Sequence, residues 1–187
     1  MKTLFYSVWG GEPQRKSDGA AAYDLCAFLL NDTHDEVATI KAKDNKNKEI
    51  RLLPRFVDMP IDAETTKTRA ILTIPPRHRA MVPTGLYLAP LTDDEKMFFG
   101  ALIRSGTGWD KGILLPNGVG VIDQDYRGQL FLVVFNPLDC DVEIFSGERI
   151  AHFIALPYMN IEWERVNDPK DLPPSERGTC GFGSTGK

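Results

Sequence analysis

No window of this chain carries an apolar stripe long enough for a helix of three turns, and that constrains the fold more than any other feature. Short apolar runs recur instead, at Ala80 to Leu88, Phe98 to Ile103, Gly128 to Phe135, Val142 to Phe145 and Arg149 to Leu156. Several alternate in polarity or are rich in β-branched and aromatic residues. Turn signals such as Pro75-Pro76, Asn117-Gly118 and Ser146-Gly147 separate them. A chain punctuated in this way predicts an all-β fold, either a sandwich or a barrel. Only Thr92 to Lys96 suggests helix, as a single turn with Thr92 as its cap.

The 187 residues suit one domain with an appended segment, and 42% hydrophobic residues supply a core. The net charge of -4 argues against a general nucleic-acid coat, which needs many cations to displace counterions. It leaves room for a nucleotide substrate, whose charge a few arginines and a metal can neutralise. No run approaches the roughly 18 apolar residues of a membrane span, and the opening MKTLFYSVWGG does not match a secretory signal. Cys26, Cys140 and Cys180 are odd in number and lack metal-type spacing, which predicts reduced thiols in a cytoplasmic protein. A bacterial or viral source is a working expectation that no residue carries.

Two segments stand apart. Asn31 to Thr68 is polar and contains KAKDNKNKEIR, which predicts a surface hairpin turning near Asp44 to Lys48. From Asn160 onward the chain holds Pro169, Pro173 and Pro174 and then RGTCGFGSTGK. Such a tail has little apolar surface with which to order itself.

The run GVGVIDQDYRGQL, Gly118 to Leu130, closely resembles the third motif of the trimeric dUTPases. Four further runs resemble the other family motifs, in the family's order. They are SDGAAAYDL from Ser17, RSGTGWDKGI from Arg104, SGERIAHFIALP from Ser146 and RGTCGFGSTG from Arg177. The resemblance implies a distorted jelly-roll β-barrel over residues 1–160, with an insertion at about 31–68. It implies a flexible arm over residues 161–187 and a homotrimer in which that arm is swapped between subunits. The implied reaction is hydrolysis of dUTP to dUMP and pyrophosphate, with Mg2+ as cofactor.

The family's roles fall on matching residues. Asp123 matches the catalytic aspartate, which orients the attacking water and takes its proton. Gly120, Val121 and Ile122 belong to a glycine-rich hairpin whose backbone reads uracil, with Asn117 at its mouth. Tyr126 lies under the deoxyribose and leaves no room for a 2′-hydroxyl. Arg104, Ser105 and Gly106 match phosphate contacts, where a guanidinium fork and backbone N–H groups suit phosphate oxygens. Asp24 matches the first-motif acid, which either meets the metal through water or holds Arg104. Arg177 meets the γ-phosphate, while Phe182, with Gly183 and Ser184, closes over the uracil as a lid. From Trp163 to Phe182 an extended chain spans roughly 60 Å. The domain is only about 40 Å across, so the tail can reach a neighbouring subunit.

Departures from the family's pattern are equally legible. His152 stands where Gln is usual, Cys180 replaces a glycine, and Trp109 and Asp110 are unusual within the second motif. Asp125, two residues beyond Asp123, is expected on the opposite side of the strand. The related dCTP deaminases would need Arg-Ser-Ser in the second motif and a catalytic Glu after the hairpin. This chain has Gly106 there and QLFLVVFN, which disfavours deamination. The alternative of another class is a trimeric scaffold with a binding or regulatory role through residues 31–68.

Overall fold

The structure, a computed structural model, describes residues 2–9, 12–31, 34–60, 65–91 and 96–180. The short apolar runs become antiparallel strands. In chain order these are β1 (Thr3–Ser7), β2 (Tyr23–Cys26), β3 (Ile40–Lys43), β4 (Glu49–Leu52), β5 (Arg55–Pro60), β6 (Thr66–Ile74) and β7 (Arg79–Pro83). They continue with β8 (Leu86–Pro90), β9 (Met97–Ile103), β10 (Gly120–Asp123), β11 (Phe131–Phe135), β12 (Val142–Phe145) and β13 (Arg149–Pro157). Their orders are β1-β8, β10-β9-β13-β2, β11-β7-β3-β4 and β12-β6-β5. Alternate residues of these strands, such as Leu132 and Val134 of β11 or Leu72 and Ile74 of β6, enter one continuous core. The all-β expectation holds.

The run expected from Ala80 to Leu88 is broken in two. Gly85 adopts φ +65°, and a Cβ there would come within 3.0 Å of the Trp9 ring. Glycine therefore serves both the left-handed turn and the close packing of Trp9. Around this turn the Thr84 hydroxyl, fully buried, donates to the Leu130 carbonyl at 2.8 Å.

The one α-helix among the described residues, α1 (Ser105–Lys111), lay hidden in the second motif. Gly106 and Gly108 depress its intrinsic propensity, so tertiary contacts hold it. Thr107 is buried and donates to the Arg149 carbonyl at 3.3 Å, while Gly112 ends the helix at φ +65°. Of the turn expected at Thr92 to Lys96, residues 92–95 lie outside the described residues, and Lys96 is not helical.

The expected hairpin at Asp44 to Lys48 is present. Asp44 accepts from the backbone N–H groups of Lys46 and Lys48 at 2.9 and 2.8 Å, and Asn47 takes φ +65°. It is not a free surface arm, because β3 also pairs with β7 and buries Ile40 and Ala42 in the core. Polarity misled here because only alternate residues of β3 face inward. In the second half of the segment, Leu53 and Phe56 remain exposed. No helix among the described residues is long and apolar enough to cross a membrane.

Candidate active site

The sheet β10-β9-β13-β2 carries the residues singled out in the sequence, on opposite edges. On the β2 edge, Asp24 is the hub, and its side chain is only 9% exposed. Its Oδ1 lies 3.3 Å from Arg104 Nε and 3.2 Å from His152 Nε2, and its Oδ2 lies 3.0 Å from Arg149 Nη1. Arg104 Nε also donates to His152 Nε2 at 3.3 Å, and Arg104 Nη1 donates to the Arg149 carbonyl at 2.8 Å. A single imidazole nitrogen cannot accept from Arg104 and donate to Asp24 at once, so the tautomer of His152 decides which contact is made. Two guanidinium groups against one carboxylate leave this edge net positive, as an anion site requires.

Arg149 was not among the residues read from the sequence. Arg149 and His152 are three apart, and in a regular strand such residues point to opposite faces. A bulge in β13 between Arg149 and Ala151, opposite Cys26 and Leu25 of β2, inserts the extra residue that turns both toward Asp24. A sequence pattern of period two does not reveal such a bulge. Ser105 and Gly106 follow Arg104 at the start of α1, where the first backbone N–H groups have no intrahelical acceptor. Beside this cluster, burial, reinforced by the charge of Asp24, pushes the Cys26 thiol up from its ordinary pKa. Cys26 is thereby a poor thiolate and a poor nucleophile.

On the other edge, β10 pairs only with β9 among the described residues, with Asp123 opposite Phe98 and Gly120 opposite Ala101. The third motif is therefore an edge strand rather than the expected hairpin. After a turn closed by Tyr126 N–H to the Asp123 carbonyl at 3.1 Å, the chain crosses to β11 in another sheet. An edge strand leaves a row of backbone donors and acceptors without sheet partners, which suits the reading of a base edge. Asn117 lies at its start, with its side-chain nitrogen 3.3 Å from where a Cβ on Gly120 would stand. Tyr126 donates to the Gln129 carbonyl at 2.9 Å.

Asp123 and Asp125 both line a cavity of about 710 Å³ with Val121, Arg127 and Tyr158. The expected separation of the two acids onto opposite sides fails because β10 ends at Asp123 and Asp125 belongs to the turn. Arg127 Nη1 is spent on the carbonyls of Gln124 and Tyr126.

The two edges do not meet. Three inter-strand steps separate β10 from β2, roughly 14 Å across the sheet. Asp123 pairs with Phe98, Phe98 with Leu156, and Asp24 with His152, four residues before Leu156. That offset adds roughly 13 Å along the strands. The chain thus gathers Asp24, Arg104, Ser105, Gly106 and His152 at one place. It gathers Asn117, Gly120, Val121, Ile122, Asp123 and Tyr126 at another. Arg177 is exposed and donates to the Cys180 carbonyl at 3.0 Å, apart from both. Phe182, Gly183 and Ser184 lie outside the described residues. No three His, Cys, Asp or Glu side chains converge as a metal cage among the described residues.

The dUTPase family profile matches residues 67–186. Among similar proteins, the deoxyuridine 5'-triphosphate nucleotidohydrolase of Albidiferax ferrireducens is 41% identical over 118 residues, covering 63% of this chain and 76% of the relative. The corresponding enzyme of Photorhabdus laumondii is 40% identical over 112 residues, covering 60% and 70%. A point mutant of the Staphylococcus bacteriophage 80alpha dUTPase, solved with dUpNHpp, superposes with a TM-score of 0.66 at 18% identity, over 100% of this chain and 99% of that one. At that identity the superposition speaks for the fold alone. The sequence relatives and the profile carry the assignment, and by them this chain belongs to the dUTPase family.

Proposed function

We infer that this chain hydrolyses dUTP to dUMP and pyrophosphate by attack of water at the α-phosphate. The observation that carries this reading is the convergence of Arg104, Arg149 and His152 on Asp24 beside the start of α1, in a chain of the dUTPase family. Two fixed guanidinium groups and unpaired helix N–H groups form a receptor for the triphosphate. Asp24 holds the two arginines in place and disperses their mutual repulsion.

Uracil lies along β10. Within the run Gly120, Val121 and Ile122, the alternate backbone groups that face away from β9 are offered to its O4, N3–H and O2, and Asn117 adds a contact at the start of the strand. Cytosine reverses the donor and acceptor at position 4, and such a mismatch leaves polar groups unpaired and costs about 10⁴-fold in selectivity. Tyr126 packs against the deoxyribose. Asp123 is exposed at the end of β10 and is placed to orient a water and accept its proton as the bond to the bridging oxygen breaks. The tail supplies Arg177 to the γ-phosphate and Phe182, Gly183 and Ser184 as a cover that excludes water.

The cofactor is Mg2+. A carboxylate offers roughly four lone-pair positions, and two guanidinium groups, joined by His152 in one of its tautomers, address Asp24. Asp24 would hold such an ion through one of the ion's waters, which fits a metal bound mainly by phosphate oxygens. The ion supplies charge neutralisation of the triphosphate.

The two site halves are too far apart within one chain to act on one nucleotide. More than one copy is then needed, and the family resemblance makes that unit a homotrimer, in which β10 of one copy faces the Asp24 cluster of another. Every described residue from 161 to 180 is exposed, including Trp163 and Ile161 at 88% and 64%. Such apolar exposure suits an arm, residues 161–187, that lies on a neighbouring copy.

The deciding experiment measures pyrophosphate release from dUTP, dCTP, dTTP and UTP side by side. The expected result is a strong preference for dUTP, and loss of about 10²-fold or more in kcat in Asp123→Asn with binding retained. Comparable turnover of UTP, or near-normal turnover in the variant, overturns the roles of Tyr126 or Asp123.

A further inference from the structure

The segment that precedes the family-matched residues builds a second cavity. It holds about 690 Å³ on the outer face of the sheet β11-β7-β3-β4. One wall comes from the β3–β4 hairpin, which lies before residue 67, where the family profile begins. The other wall comes from β7, β11 and Pro116. A site divided in this way is not one the family match supplies.

Its charge is unusual for a chain of net charge -4. Lys41, Lys43, Arg51 and Arg79 all line it, against the single carboxylate of Glu49. Lys41 stands directly opposite Arg51, and Lys43 directly opposite Arg79. Like charges facing across a strand pair destabilise a sheet. Glu49, opposite Lys43, offsets part of this. Yet among the described residues none of the four cations forms a salt bridge, although Arg55, Arg77, Arg104, Lys111 and Arg149 all do. Arg79 is instead held by Asn47 Oδ1 at 2.5 Å, and Asn47 owes its left-handed turn to the same hairpin. The remaining lining is apolar, with Met81 opposite Val133 across β7 and β11, and Ile50 and Pro116 beside them.

We propose that this cavity binds a phosphorylated small molecule of nucleotide size. Phosphates lie among Lys41, Lys43, Arg51 and Arg79, and a flat apolar body lies on Met81, Val133 and Pro116. Charge and size both favour this occupant. Four cations against one carboxylate match a multiply charged anion, and the volume lies within the usual range of small-ligand sites, about 300–1,000 Å³. An anion between the facing cations removes their repulsion, so binding also stabilises the hairpin.

The test is calorimetric titration of the full-length protein with ATP while saturating dUpNHpp occupies the reaction site. Inorganic tripolyphosphate and adenosine serve as separate arms for the charged and apolar parts. The expected result is one ATP per chain, weaker binding of tripolyphosphate and little of adenosine. Lys41→Glu is expected to weaken ATP at least about tenfold while raising Tm of the unliganded protein, because it turns a like-charged pair with Arg51 into an opposite one. A merely unstable variant would lose both. Failure of ATP and tripolyphosphate to bind alongside dUpNHpp, or equal ATP binding by Lys41→Glu, overturns the proposal. ATP binding that dUpNHpp abolishes assigns it to the reaction site and also overturns it. Turnover of dUTP is measured separately, so the hydrolase reading stands or falls on its own.

Discussion

Tyr126 owes its position to an absence. A Cβ on Gly128 would stand 2.3 Å from Tyr126 Oη and 2.6 Å from Cζ, far inside contact distance. Gly128→Ala is therefore expected to swing the ring off the Gln129 carbonyl while leaving the fold nearly intact, because Tyr126 is half-exposed. In the proposed mechanism this variant loses discrimination against UTP. The ratio of kcat/KM for dUTP over UTP should fall by about tenfold or more, with a Tm close to that of the parent chain. An unchanged ratio would detach Tyr126 from the 2′ position. The sequence marked Tyr126 as a candidate, but only the coordinates tie it to Gly128. Arg149 is the converse case, a residue of ordinary appearance that a backbone bulge brings to Asp24.

At the scale of elements, legibility followed the physics of each signal. Strands with strict alternation, such as Val142 to Phe145, coincide with their runs. The helix α1 was illegible because its glycines oppose it, and a buried Thr107 and a capping Gly112 outweigh them. The β3–β4 turn was legible because Asp and Asn have local reasons to be there. Backbone N–H bonds, chiefly from Lys48, hold the Asp44 carboxyl below its ordinary pKa of 3.8. A depressed acid stabilises the fold above its unfolded pKa, and that contribution vanishes as pH falls through the folded value. Amide protection of Lys46 and Lys48, corrected for intrinsic exchange, should therefore fall as pH drops below about 4. In Asp44→Ala it should be low already at neutral pH and no longer change with acid. Equal protection in both proteins would remove Asp44 as the lock of the turn.

For the whole molecule, the governing fact is that β2 and β10 are opposite edges of one sheet. No sequence pattern tells which strands become edges, since pairing is settled by the packing of all the sheets together. The proposed sharing of sites has a direct test by mixing. Asp123→Asn and Arg104→Ala chains, each inactive alone, should regain a fraction of wild-type turnover after joint unfolding and refolding. Some interfaces then join an intact β10 edge to an intact Asp24 edge. No recovery over any mixing ratio would contradict a site assembled from two chains.

The same separation of edges sets a rate law. If the site is shared between copies as proposed, a lone chain holds two halves that do not meet, and the rate per chain should fall on dilution. On that proposal the abundance of the chain, as well as that of its substrate, would govern how steeply hydrolysis responds.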